Sequence, residues 1–369
     1  MVGEIPDFDP LSYGCSEKDV YQWDARNVLL TLGVCSDALA HARLEMNRET
    51  APRTACLIGS AVHGADALRT AFEHFRGGHP LAISPSLLPN LCANVAGGLT
   101  GMRLGFTGPL LAPQAACATG NYAIGLGARL IAQGDCDFAL TGGVESPLVP
   151  EVLQGLSNMG ASIKLREDDR AFRDPSAASR PFSVDRRGFA LAEGAGVLVL
   201  AAEDALRAHG LAARAEIRGV GWSSDASHFA APHAPAVTRA IRAALLDAEL
   251  GAEDISVINA HGTSTRKGDA VEVRCLREVF GPRLAHIPVL ANKSQLGHSQ
   301  SACGAIEAAL TVEGLQQGLL LPTLNYIADP ELGELDVVAE GARRQRTELA
   351  LSTALGFGGT NCCLVLRGV

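Results

Sequence analysis

Residues 114–131 read QAACATGNYAIGLGARLI, and the turn inside this stretch decides how the rest of the chain can fold. An apolar run (Leu110, Leu111, Ala112) stops just before it, and a helix of small residues starts within it. Where a strand hands over to a helix, the side chain at the tip is exposed and the first free helix N–H groups point at it. Here that side chain is Cys117. A helix N-terminus favours an anion, so this thiol is expected to titrate well below its free value of about 8.5. The spacing predicts a nucleophile; the plainer alternative is a buried structural cysteine.

Composition narrows the setting. A chain of 369 residues can bury a large core and accommodate two or three units. Hydrophobic residues at 47% against 19% charged, with 40 glycines, describe a globular protein with many tight turns. Apolar runs such as 197–202 are too short to cross a bilayer. No basic segment leads into an apolar one at the N-terminus, so no secretion signal is expected. Ten cysteines without a CxxC pair point to reduced thiols and a cytoplasmic setting, and no His/Cys cluster has metal-ligand spacing. A net charge of −9 speaks against general nucleic-acid binding.

Moving outward from Cys117, strands and helices alternate. Residues 20–43 have apolar positions at helical spacing and predict one helix; TACLIGS (54–60) predicts a buried strand. Residues 86–100 predict a helix and FALTGG (138–143) a second buried strand. Residues 146–187 are the most charged part, with Lys164, Arg166, Arg170, Arg173, Arg180, Arg186 and Arg187, and predict a long surface excursion. GAGVLVL (194–200) returns to the core, followed by a short helix at 203–209. From 215 the pattern restarts: strand AEIRGVGW, helix 236–248, strand 255–259, loop 261–268, helix 269–279, strand 289–291, a loop bearing His298, helix 302–317 and a closing segment 351–365. This alternation predicts an α/β protein with mostly parallel sheets covered on both faces. It divides into an N-terminal half, 1–210, and a C-terminal half, 211–369. The halves echo each other: Cys117 precedes ATGNYAIGLGARLIAQG, and His298 precedes SQSACGAIEAALTVEGLQQG. EGAGVLVL (193–200) likewise echoes GGTNCCLVL (358–366). Packed face to face, the halves would bring Cys117 and His298 together at the ends of two buried helices.

Three further stretches bear chemistry. NAHGTSTRKGD (259–269) turns His261 out at the C-terminal end of a strand, where α/β sheets gather ligands. NKSQLGH (292–298) sets Lys293 five residues before His298. GFGGTN (356–361) can present backbone N–H groups because its glycines remove steric cover. With AACATG, in this order, these motifs resemble those of the β-ketoacyl-acyl carrier protein synthases (ketosynthases), in the Cys-His-His branch of the condensing-enzyme, or thiolase-fold, superfamily. The resemblance runs from about Gly3 to the C-terminus and also includes TACLIGS, LTGGVES, PFSVDRRGFALAEGAG and the extension of NKSQLGH to NKSQLGHSQSACGAIE.

The resemblance implies a thiolase-like fold, two similar halves in a five-layer αβαβα sandwich, with the N-terminal strand and helix of the usual fold missing. It implies that Cys117 takes an acyl chain from a carrier-protein thioester, and that the N–H groups of Cys117 and Phe357 form the oxyanion hole. Removing one such donor typically costs about 3 kcal/mol of transition-state stabilisation. His261 and His298 would hold the malonyl thioester carbonyl during decarboxylation, with Lys293 polarising His298 and with Asp269 and Glu307 as supporting acids. Phe357 would gate the site, and Val62, Leu87 and Leu88 would line the acyl pocket, for which plain core packing is the alternative. No metal and no organic cofactor is implied.

Implied partners are an acyl carrier protein and a ketosynthase-like subunit, as homodimer or heterodimer, joined through the strand 138–143; no nucleic acid or membrane is involved. The family's basic patch for the carrier is weak here: SEKDVYQWD offers Lys18 beside Glu17, Asp19 and Asp24. Docking then falls to the arginines between 164 and 187, or to Arg266 and Lys267. Two alternatives are an inactive partner subunit resembling chain-length factors, and a thiolase-like acyl-CoA enzyme. The first should lack the nucleophile; the second should have a catalytic cysteine where GFGGTN stands. Cys362 and Cys363, just beyond that motif, read as core.

Overall fold

In the computed structural model, which describes every residue except Asp24, two sheets enclose a layer of helices. The first sheet contains β1 (Thr54–Gly59), β2 (Leu110–Leu111), β3 (Phe138–Glu145) and β4 (Gly194–Ala201) in the order β2-β1-β3-β4. β2, β1 and β3 run parallel, and β4 returns antiparallel to β3 with Phe138 opposite Ala201 and Glu145 opposite Gly194. The second sheet contains β5 (Ala215–Ser224), β6 (Val257–Asn259), β7 (Pro288–Leu290), β8 (Asp336–Val337), β9 (Leu349–Gly356) and β10 (Thr360–Gly368). Its order is β8-β7-β6-β9-β10-β5, with β10 antiparallel to both β9 and β5. Superposing the two orders pairs β2 with β7, β1 with β6, β3 with β9 and β4 with β10.

β5 has no counterpart in the first sheet among the described residues. The consequence is visible in burial: β10 is buried along most of its length, whereas Val197, Val199 and Ala201 on β4 are only half-buried. The outer edge of β4 is open.

Between the sheets lie α4 (Thr119–Gln133) and α7 (Cys303–Gln317), both built from small residues. A Cβ on Gly127 would meet Thr141 of the first sheet at 2.3 Å, and one on Gly125 would meet Val220 of the second at 2.6 Å. Glycine therefore lets one helix touch both sheets. The outer layers are α1 (Arg26–Ala42), α2 (Ala65–Arg76) and α3 (Asn94–Leu104) on one side, and α5 (Ala234–Asp247) and α6 (Arg266–Phe280) on the other.

Several elements differ from their sequence-based expectation. The single helix expected at 20–43 is two: a capping box between Ser16 and Asp19 starts Glu17–Gln22, which stops at Trp23, and α1 begins after the extended Ala25. The helix expected at 86–100 breaks at the extended Cys92 into Leu87–Leu91 and α3. The expected dimer strand, 138–143, lies inside the sheet with β1 on one side and β4 on the other, so it has no edge to offer; the outer strands are β2 and β4, and both residues of β2 are exposed.

The excursion at 146–187 is only partly on the surface. Arg180, Phe182 and Arg186 are buried, with Arg180 paired to Asp169 at 2.7 Å and Arg186 to Asp329 at 2.5 Å. Those two arginines therefore cannot meet a carrier protein, while Lys164, Arg166 and Arg173 remain exposed. In SEKDVYQWD, Asp19 is buried against Arg103, and Asp24 lies outside the described residues.

Candidate active site

Cys117 sits in the 3-10 turn Ala116–Ala118 that leads into α4, directly after Ala116 at φ +48°. A non-glycine residue in this left-handed region costs about 1–3 kcal/mol and persists only where its surroundings hold it. They do so here. The Ala115 N–H donates to Thr119 Oγ1 at 2.8 Å, and Thr360 Oγ1 donates to the Ala115 carbonyl at 2.9 Å. The second half repeats the device: Gln300, at φ +46°, opens the 3-10 turn Gln300–Ala302 that leads into α7. Element by element, Cys117 thus matches Ser301, not His298. The duplication is real in the backbone, but its register is three residues beyond the one the sequence echo suggested.

The thiol is 2% exposed, and its Sγ donates to Gln300 Oε1 at 3.2 Å. Backbone N–H groups of Phe357 and of Cys117 itself face the sulfur, the pair expected for an oxyanion hole. Burial nevertheless pushes the thiol up to about 12, against the pull of Lys293 and those two N–H groups. The direction is opposite to the lowered value expected, because desolvating the anion outweighs Lys293 and the two N–H groups.

His261 follows β6. Its N–H donates to Glu272 Oε1 at 2.7 Å and to Thr353 Oγ1 at 3.0 Å, and the Gly262 N–H donates to Glu272 Oε2 at 2.9 Å. His298 is held through its backbone to Ala190 and Ala192, with Phe189 edge-on at 4.8 Å. The two imidazoles meet edge to face, 5.5 Å between centroids. Burial, followed by the positive charge of Lys293, pushes both well below the usual histidine value, so both are neutral at pH 7.

Lys293 Nζ donates to Glu307 Oε1 at 2.6 Å, both groups buried. Burial alone would lower the lysine and raises Glu307 to about 7, but Glu307 and Glu272 hold the lysine up, and from the direct contact we assign the pair as ammonium and carboxylate. Nζ also lies 3.4 Å from His261 Nδ1. An ammonium can only donate, so Nδ1 accepts and the His261 proton is on Nε2. The expected partner of Lys293 was His298, whose buried Nδ1 has no hydrogen-bond partner among the described residues. Lys293 acts on His298 through charge alone.

The remaining expected residues are dispersed. Asp269, pushed up to about 7 by burial, accepts from the Phe182 N–H at 2.7 Å. Phe357 is half-buried in the turn between β9 and β10, beside Gly358 and Gly359, which both have positive φ. Val62 is half-buried, with its N–H donating to Glu145 at 3.1 Å. Leu87 packs against a cluster that includes Val28, Ala67 and Leu99, and Leu88 is 74% exposed. Leu88 does not line a pocket in this chain: it lies at the start of a short helix and faces outward.

Three site residues escape a reading of the sequence. Glu272 pins the His261 turn, and its signal was a position three residues after Asp269, on the same helix face. Glu145 accepts from Ser60 Oγ, from the N–H groups of Ala61 and Val62, and from Ser301 Oγ, so it joins the Val62 loop to the Gln300 turn. Its signal was an acid closing a buried strand inside LTGGVES. Gln300 touches Cys117; its signal was a long polar residue among small ones after His298.

Comparison with known proteins agrees with this geometry. Residues 1–205 match the family model Beta-ketoacyl synthase, N-terminal domain, and residues 214–327 match Beta-ketoacyl synthase, C-terminal domain. The chain is 34% identical over 370 residues to 3-oxoacyl-[acyl-carrier-protein] synthase 2 of Staphylococcus aureus, covering 100% of this chain and 89% of that one. It also superposes on a chain of AntDE:AntF, a type II PKS acyl-carrier protein in complex with its ketosynthase bound to the hexaketide. There the TM-score is 0.90 at 26% identity, covering 100% of this chain and 88% of the other. A chain of the ishigamide ketosynthase/chain length factor gives a TM-score of 0.88 at 30% identity, with 99% and 87% covered. With two halves, two matching turns and a family match over most of its length, the chain belongs to the β-ketoacyl synthase family of the thiolase superfamily.

Proposed function

We propose that the chain condenses an acyl group held on Cys117 with a malonyl group carried by acyl carrier protein. The observation that supports this reading is one buried site containing a thiol, two backbone N–H groups facing it, and two neutral imidazoles 5.5 Å apart. Cys117 sulfur adds to the carbonyl of an acyl-carrier thioester, the carrier thiol leaves with the proton, and the acyl chain stays on Cys117. Malonyl-carrier then loses carbon dioxide. Its C–C bonding pair moves into an enolate whose oxygen accepts hydrogen bonds from His261 Nε2–H and from His298. The enolate carbon attacks the acyl-Cys117 carbonyl, and the oxyanion is held by the N–H groups of Cys117 and Phe357. Expulsion of the Cys117 thiolate gives a β-ketoacyl-carrier two carbons longer, and loss of carbon dioxide drives the step forward.

Lys293 positions His261 and fixes its tautomer, with Glu307 as counterion and Glu272 and Asp269 bracing the loop. Phe357 swings to admit the second substrate, using its flanking glycines. Arg266 and Lys267, exposed at the start of α6, receive the acidic carrier. A second ketosynthase-like subunit packs on the β2 side, and the protein works in the cytoplasm, in keeping with ten unpaired cysteines. The catalytic reading is favoured over an idle partner subunit because Cys117 is present in a strained turn at a buried helix start, within reach of the charge of Lys293, which also contacts His261.

Incubation with acyl-carrier protein tests this directly: the expected result is acyl mass on the Cys117 peptide, absent in Cys117→Ala. No adduct on a folded sample overturns the enzymatic reading. Adding malonyl-carrier should then yield the β-keto product; acylation without it would reduce the activity to simple acyl transfer.

A further inference from the structure

Burial leaves Cys117 with a proton to lose and no ionisable base in hydrogen-bond contact among the described residues. The group in contact is an amide. Gln300 is 5% exposed, and its Oε1 accepts from Cys117 Sγ at 3.2 Å, while its Nε2 is buried without a hydrogen-bond partner. A carboxamide offers an acceptor on one side and two donors on the other, and its last torsion has two comparable positions related by half a turn. Gln300 is also held in place at a cost: its φ of +46° would suit glycine, yet the chain puts a long polar side chain there. Its neighbour Ser301 is anchored to Val144 O and Glu145 Oε2, so the turn is fixed on the side away from the sulfur.

We propose that Gln300 is a reversible hydrogen-bond partner of the nucleophile, accepting from the Cys117 thiol at rest and, after half a turn of its carboxamide, donating Nε2–H to the thiolate that attacks and is later expelled. This rests on Cys117 being the nucleophile. The proton balance closes without the amide: the hydrogen that leaves Cys117 in acylation ends on the carrier thiol, and the thiolate expelled in the condensation takes one from solvent water to restore the thiol, so Gln300 gains and loses none. The amide supplies the thiolate with a donor at the moment the anion exists, which a buried carboxylate could not do without adding a second negative charge. The other groups acting on the sulfur are Lys293 and the N–H groups of Phe357 and Cys117, which favour the anion, and Glu145, which opposes it; those two N–H groups are claimed by the acyl oxyanion once the sulfur has attacked, and Cys303 of α7 lies behind, with its Sγ donating to the Cys117 carbonyl at 3.5 Å. His261 and His298 are neutral. None of these replaces a donor on Gln300.

The test is the pH profile of iodoacetamide alkylation, read as mass on the Cys117 peptide, in wild type, Gln300→Leu, Gln300→Glu and Gln300→Gly. Hydrogen bonds to charged groups are worth about 1.5–3 kcal/mol, so Gln300→Leu should alkylate on the order of 10-fold more slowly at mildly alkaline pH and show its midpoint at higher pH. Gln300→Glu should be slower still. Gln300→Gly relieves the strained φ while removing the amide, so it keeps the experiment decisive if the leucine variant folds poorly: it should be at least as stable as wild type and still alkylate slowly. Coincident profiles for wild type and either amide-less variant overturn the proposal. Because alkylation needs no acyl carrier, this result is independent of whether the chain condenses malonyl groups.

Discussion

At Cys117 two effects oppose each other, Lys293 and two backbone N–H groups favouring the thiolate and burial favouring the thiol, and burial prevails. The same burial keeps both histidines neutral, and that has a measurable consequence. A histidine whose folded value lies below its unfolded value of about 6.5 contributes stability that is present above that pH and is lost as pH falls through it. Asp269 and Glu307, both pushed up to about 7, act with the opposite sign, since the folded state holds their protons longer. The contribution of His298 is therefore read as a difference from His298→Asn. In urea unfolding, the stability gap between wild type and variant should be flat above about pH 7.5 and fall by up to about 1.4 kcal/mol per pH unit below 6.5. A gap that widens on acidification would mean that His298 is charged in the folded protein. At this scale the sequence was informative about which residues come together and poor about their contacts. Cys117, His261, Lys293 and His298 do gather, but Lys293 touches His261, and Gln300, Glu145 and Glu272 became visible only once loops distant in sequence were adjacent.

Among the elements, the pair α4 and α7 sets the geometry of the site, because each begins at one of the two strained turns. Their approach depends on missing side chains: a Cβ on Gly120 would lie 2.5 Å from the Ala305 nitrogen. A backbone atom cannot yield as a side chain can. Gly120→Ala should therefore lose about 1–3 kcal/mol of stability. It should also slow acylation of Cys117, since the Cys117 and Gln300 turns would separate. Denaturant unfolding and the acylation assay read both effects, and an unchanged protein would show that the helices slide freely. Strand order was the part of this level least legible beforehand. Alternating apolar runs predict strands, but nothing local in 138–143 says whether it lies at an edge or between two neighbours, because both situations bury a short apolar run.

For the molecule as a whole, the two faces of the first sheet's edges differ. The β4 edge is open and half-buried, while the β2 side exposes Leu110 and Leu111 together with Phe72 of α2, Leu88 and Met102 of α3. Those elements pack side by side, so the exposed apolar side chains lie on neighbouring elements. Leu111→Asp should convert a dimer to a monomer in light scattering while leaving the fold intact; a monomeric wild type, or an unaffected dimer, would place the subunit contact elsewhere. Carrier docking is argued at the same scale. Reversing Arg266 and Lys267 to glutamate should raise the apparent KM for acyl-carrier several-fold with little change in kcat, more strongly at low salt. No change would direct attention to Lys164, Arg166 and Arg173, the exposed basic residues of the charged excursion.

By itself the sequence determined the family and the α/β class, and singled out Cys117, His261 and His298 as candidates, because motif order and hydrophobic periodicity are local and survive without coordinates. Tertiary structure alone decided the protonation state of Cys117, the partner of Lys293, the interior position of β3, the burial of Arg180 and Arg186, and the exposure of Leu88. Each of these depends on which groups from distant segments exclude water from one another, and that is a property of packing.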